Sequence, residues 1–116
     1  GADTGAALAA LERVAEPWAR DAAAAIRRNS PLSMACTLAL LRDLPPGAGI
    51  RHAIAREYRF VWRAAEIGMT DFQEGVRAQI IDKDRRPRWR HATPHDVSAA
   101  EVAALLAPLG RDELAL

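Results

Sequence analysis

The chain has a single cysteine, a single lysine and few aromatic residues, and it lacks a long apolar run. With Cys36 alone, no intramolecular disulfide can staple the fold. Its surroundings, Met34-Ala-Cys-Thr-Leu38, form an apolar helical pattern that suits a small buried hydrophobe better than a catalytic thiol. A reducing compartment, the cytoplasm, is the expectation that follows. No stretch approaches the ~20 apolar residues of a bilayer-spanning helix, and no secretory leader is visible, so no membrane partner is expected. The chain opens on Gly1 and not on methionine, which reads as a processed chain or an expressed fragment.

Charge of one sign is missing as well. Sixteen basic and 15 acidic residues give a formal charge of +1, whereas general nucleic-acid binding calls for a strong basic excess. No period-two run of β-branched residues marks a strand, and neither an internal repeat nor a low-complexity linker is present. There is no Gly-x-Ser-x-Gly elbow; Ser30, Ser33 and Ser98 read as caps or first-turn residues. Pro46-Gly47-Ala48-Gly49 lacks the strand and lysine of a phosphate loop. His91 and His95 are four apart, but Pro94 between them breaks the helix a metal pair would need, so no metal site is assigned. His52 reads as a surface residue, and no Cys–His pair is assigned.

What is present is helical punctuation. The 116 residues suffice for one small domain, residues 1–116, expected to be all-α with about five main helices and a short C-terminal one. Asp3-Thr4-Gly5 starts the first, with Leu8, Leu11 and Val14 as its stripe. Pro17 opens the second, whose inner face is read as Trp18, Ala22, Ala25, Ile26 and Asn29. Ser30-Pro31 is a capping serine followed by a first-position proline; the third helix carries Met34, Leu38 and Leu41 on one side as far as Leu44. After Pro45-Pro46-Gly47 a long fourth helix is expected over Ala48–Ile67. Its seam is Ile50, Ile54, Tyr58, Val61, Ala65 and Gly68, with Arg51, Arg56, Arg59, Arg63 and Glu66 covering the remainder. Gly68 reads as its cap. Thr93–Val97 reads as a single turn, and Ser98 with Glu101 as a capping box for the last helix.

The fifth helix belongs to Met69–Trp89, around which the chain is organised. Thr70 and Gln73 read as a capping box worth roughly 1 kcal/mol. Phe72, Val76 and Ile80 share a face that must pack against something. Gly75 costs about 1 kcal/mol relative to alanine and suggests close approach of another backbone, unless it lies on the wet side. Beyond Ile81 a charged loop follows. Asp82 and Asp84 read as solvated, and Lys83, Arg85, Arg86, Arg88 and Arg90 form a cluster whose charge suits phosphate groups.

Several helices carry alanine where a free-standing bundle would place leucine, and each larger buried side chain would contribute roughly 1.5–3 kcal/mol. These helices are therefore expected to pack on something beyond the chain, a missing domain or a second copy.

Asn29-Ser-Pro-Leu-Ser-Met34, Glu57-Tyr-Arg59, Asp71-Phe-Gln-Glu-Gly-Val-Arg-Ala78, Ile81-Asp-Lys-Asp84 and Pro87-Arg-Trp89 occur in this order and spacing. Over about Ala7–Leu109 the chain thereby resembles the C-terminal part of the 3-hydroxyisobutyryl-CoA hydrolase branch of the enoyl-CoA hydratase/isomerase (crotonase) superfamily. The resemblance implies acyl-CoA thioester chemistry of valine breakdown, carried out by an N-terminal spiral of β/α turns with an oxyanion-binding pair of backbone N–H groups. It carries no catalytic residue onto this chain and no covalently bound cofactor. It implies packing, lid or oligomer contacts, an acyl-CoA substrate and the N-terminal crotonase core as partners, and a homo-oligomer. Lys83 takes the place of a lysine near the CoA nucleotide in related enzymes; Asp84 stands where many relatives have arginine, and Arg85 is its candidate substitute for CoA binding. The alternative is a stand-alone helical interaction module that binds an acidic partner through the Arg85–Arg90 loop.

Overall fold

The architecture was read from a computed structural model, which describes residues 3–116; Gly1, the residue read as a processed end, lies outside the described residues. Caps and prolines set the helix starts. The Asp3 carboxylate accepts the Ala6 N–H at 2.7 Å and opens α1 (Thr4–Glu12). Pro17 and Pro31 occupy the first positions of α2 (Pro17–Arg28) and α3 (Pro31–Arg42), and the Ser30 hydroxyl accepts the Ser33 N–H at 3.2 Å. After the proline break come α4 (Ile50–Ala64), a short α5 (Phe72–Val76) that widens into a π-helical turn (Arg77–Ile81), and α6 (Ala99–Leu106). The Ser98–Glu101 capping box forms as expected, and Thr93–Asp96 forms a second one over a 3₁₀ turn. Every regular element among the described residues is helical, and none is long and apolar enough to cross a membrane.

The core is small and centred on α3. Leu32 and Cys36 are buried against Leu105 and Leu106 of α6, with Phe60 of α4 packed on the edge. This corrects the expected face of α3: Met34 and Leu38 are half-buried and Leu41 is exposed, because the helix is rotated to present Leu32 and Cys36 to α6. On α2 the residues read as its inner face give way to Ala19 and Ala23, which are small enough to let α1 approach. Trp18 is exposed, its indole N–H donating to the Glu16 carboxylate at 2.5 Å, and Asn29 is exposed too.

The largest correction concerns α4. Its arginines were expected to cover the surface; Arg56, Arg59 and Arg63 are half-buried instead. Arg63 Nη1 donates to the carbonyls of Leu105 at 2.9 Å and Ala107 at 2.7 Å, satisfying the open C-terminal end of α6. Arg59 Nε donates to Glu113 at 2.6 Å, holding the C-terminal tail. The apolar seam faces out: Ile50 is 73 %, Ile54 43 % and Val61 60 % exposed, beside Leu41 at 67 %. Leu40, Leu41, Leu44, Phe60 and Val61 line an open groove of about 340 Å³ between α3 and α4.

Size agrees with a layer that is open on one side. The extents are 46 × 38 × 24 Å, a slab two helices thick. The radius of gyration is 15.4 Å against about 13 Å for a self-contained domain of this length. Accessible surface is 7858 Å² against about 6,200 Å² for a monomeric domain of 12.6 kDa.

Candidate functional site

The stretch after α4 departs from its expected local chemistry. α4 stops at Ala64, and Gly68 adopts a left-handed φ of +86° in the turn beyond the helix. No capping box forms at Thr70: the Gln73 amide instead donates to the Ala64 carbonyl at 3.2 Å, satisfying the end of α4, while the Thr70 hydroxyl accepts from Phe72 N–H at 3.3 Å. The N-cap is Asp71, which is buried. Its carboxylate accepts the Ser30 hydroxyl at 2.6 Å and the Arg90 N–H at 3.0 Å, so one side chain joins the start of α3, the start of α5 and the far end of the charged loop. Phe72 and Ile80 do share a face with Val76, and that face borders an open apolar groove. What approaches Gly75 is a side chain and not a backbone: a Cβ there would meet the Trp89 ring at 3.7 Å, an ordinary contact.

The loop is anchored at its far end. The half-buried Trp89 donates its indole N–H to the Arg28 carbonyl at 2.9 Å, and the Arg90 guanidinium donates to the Gly68 carbonyl at 2.7 Å. Arg90 is therefore occupied within the chain. At the near end, Asp82 and Asp84 are not merely solvated. Both bind Arg77 Nη1, at 2.7 and 2.8 Å, while Glu74 takes Arg77 Nε at 2.9 Å and Nη2 at 2.7 Å. Arg77 went unremarked in the sequence although Glu74, three residues back on a helix, was a legible partner. Lys83 and Arg85 are exposed, both with left-handed backbone, at φ 53° and 56°, and among the described residues neither forms an ion pair. The structure thus presents the two cations singled out from the sequence, alternating with two acids turned toward Arg77.

The Arg77 hydrogen bonds, and next the Arg88 N–H, hold the Glu74 carboxyl down at about 2 from its ordinary 4.5; Asp84 is lowered chiefly by Arg77 and by the Arg86 N–H. A carboxyl with a folded pKa below its unfolded value stabilises the fold above the unfolded value and loses that contribution as pH falls through the folded one. The loop is therefore expected to keep its native shape at pH 5 and to loosen between about pH 4.5 and pH 2. Protection of the Arg86 and Arg88 amides relative to their intrinsic exchange rates, followed through this range, checks it, since loss of protection already at pH 6 contradicts the assignment.

His91 Nε2 lies 2.8 Å from Glu101, and the His95 ring packs on Gly5 of α1 so closely that a Cβ there would come within 2.5 Å of Nδ1. The two histidines thus serve separate contacts. Among the described residues no cluster of three or more His, Cys, Asp and Glu side chains is placed to hold a metal ion. Cys36 is buried and its thiol is pushed up to about 11, chiefly by burial and then by the negative charge of Glu101.

A profile of the enoyl-CoA hydratase/isomerase family matches residues 2–106. The chain is 35% identical over 108 residues to the mitochondrial 3-hydroxyisobutyryl-CoA hydrolase of Gallus gallus, covering 91% of this chain and 27% of that protein. Over all of its length it superposes on 34% of the crystal structure of an enoyl-CoA hydratase from Rhodobacter sphaeroides 2.4.1, with a TM-score of 0.93 and 51% identity. It also superposes on a carnitinyl-CoA dehydratase from Mycobacterium thermoresistibile with a TM-score of 0.84 and 31% identity, covering 99% of this chain and 32% of that one. The chain spans about a quarter to a third of the length of the proteins it matches.

Proposed function

The chain belongs to the enoyl-CoA hydratase/isomerase family, and from that premise we propose that it is the helical C-terminal part of an enzyme acting on acyl-CoA thioesters, a 3-hydroxyisobutyryl-CoA hydrolase or a close hydratase-like relative. In this reading it supplies packing, lid or oligomer contacts and no catalytic residue. The observation that carries it is the outward apolar face of α4, where Ile50, Ile54 and Val61 are all exposed. Such a face belongs against the N-terminal core of the same enzyme or a second copy.

Lys83 and Arg85 are proposed to meet the phosphates of the CoA moiety. Their support is position and chemistry: two exposed cations on one tight turn, with the neighbouring carboxylates occupied by Arg77. The stand-alone module reading loses weight, because Arg90, at one end of its proposed contact, is spent on the Gly68 carbonyl. The cytoplasm stays the expected compartment, on the single buried cysteine; the chicken relative carries a mitochondrial name, and fractionation of source cells tests the point.

Assays of the complete protein against 3-hydroxyisobutyryl-CoA and crotonyl-CoA test the activity: turnover of the first supports the hydrolase, and of the second a hydratase. The chain alone is expected to turn over neither. In the complete protein Lys83→Ala is expected to raise the KM for the CoA thioester several-fold, on the order of 1 kcal/mol of lost charge-assisted contact. An unchanged KM removes the role.

A further inference from the structure

Arg77 sits on the π-helical turn and makes five hydrogen bonds with its guanidinium, the full donor capacity of the group. The acceptors are both oxygens of Glu74, one oxygen each of Asp82 and Asp84, and the Arg86 carbonyl at 3.3 Å. Glu74 also accepts the Arg88 N–H at 2.8 Å and Asp84 the Arg86 N–H at 2.9 Å, while the Arg85 N–H reaches back to the Ala78 carbonyl at 3.0 Å. One side chain thereby gathers both flanks of a turn in which Lys83 and Arg85 hold a left-handed conformation that non-glycine residues rarely adopt.

We propose that Arg77 is a positioning residue, whose clasp on Glu74, Asp82 and Asp84 shapes the Lys83–Arg85 turn to receive the phosphates of a CoA thioester. The inference rests on the assignment of Lys83 and Arg85 made above and adds the group that makes the assignment workable. Two effects run together. Strained backbone persists only where its surroundings over-determine it, and Arg77 ties the turn on both sides of Lys83. In addition, Asp82 and Asp84 flank Lys83 in sequence, and left unpaired they would repel an incoming phosphate. Bound to Arg77, they are neutralised in part and turned from the cations. A lysine at this position would bring a point charge with three donors in place of the five of the guanidinium fork used here.

The test is made on the complete enzyme with two substrates, the CoA thioester and the same acyl group carried on pantetheine, which has no phosphate. Arg77→Met is expected to raise KM for the CoA thioester about tenfold, to leave kcat near its original value, and to leave KM for the pantetheine thioester unchanged. Arg77→Lys is expected to recover only part of the loss. If Arg77→Met does not fold, Glu74→Gln removes one of the two Glu74 acceptors that hold Arg77, without deleting a charge beside Lys83, and should produce the same selective rise, smaller in size. Equal damage on both thioesters, or no change on either, overturns the proposal. Lys83→Ala and Arg85→Ala separate its fate from that of the assignment beneath it. If they raise KM for the CoA thioester and Arg77→Met does not, only the positioning role falls; if they do not, the phosphate contact falls and the positioning role with it.

Discussion

Val61→Asp is expected to cost the complete enzyme more than about 3 kcal/mol of stability, and Ile54→Ala about 2–4 kcal/mol, although this chain buries neither side chain. The expectation follows from how α4 is rotated. Arg59 and Arg63 are committed to the tail and to the end of α6, which fixes the helix about its own axis. The Ile50–Ile54–Val61 stripe is thereby sent outward, with Val61 at the edge of the groove lined by Leu41 and Leu44. If that stripe is covered in the complete enzyme, an aspartate on it is an unpaired buried charge, and the lost methyl groups of Ile54 leave a cavity. If it is open to water, each change should fall within about 0.5 kcal/mol. Denaturant unfolding of the complete enzyme reads the difference, and small changes at both positions would remove the basis for the proposed role.

Asp71→Ala is expected to destabilise the complete enzyme by about 3 kcal/mol. The carboxylate is buried, and its removal strands two donors at once, the Ser30 hydroxyl and the Arg90 N–H. Each bond to a charged acceptor contributes about 1.5–3 kcal/mol, and part of this returns if water reaches the site. Ser30→Ala should cost somewhat less, about 2 kcal/mol, because Asp71 keeps Arg90 and only the α3 cap and one bond are lost. The loop end is expected to loosen in Asp71→Ala, since Arg90 and Trp89 anchor the same segment. Thermal unfolding followed by tryptophan fluorescence checks both; a change below about 0.5 kcal/mol for Asp71→Ala contradicts the three-way junction.

The features legible in the sequence are those whose partners lie three or four residues away. Ser30 over Ser33, Ser98 with Glu101 and the first-position prolines all formed as read, because the chain itself brings such partners together. Thr70 with Gln73 had the same pattern and failed, since Gln73 found a better acceptor at the frayed end of α4. Periodicity correctly marked a stripe on α4 but could not say which way it would face. The groups that decide this, Arg63 and the carbonyls of Leu105 and Ala107, are 42 and 44 residues apart. In the loop, Lys83 and Arg85 stood out by charge, whereas Arg77 did not. Its contacts to Asp82 and Asp84 depend on the widened turn that follows α5, which no local signal announces.

The central claim is that the outer face of α4 is interior in the complete enzyme. Thiol labelling of a Val61→Cys variant measures this directly, with labelling at the introduced thiol quantified by peptide mass spectrometry. Cys36 contributes little background in the native protein, being buried with a thiol pushed up to about 11. The complete enzyme should label at the introduced thiol at least ~100-fold more slowly when native than when unfolded in denaturant, as expected of a site reached only by opening the structure. Equal rates in the two states would mean that the face meets water in the complete enzyme, and the proposed role of this chain would be wrong.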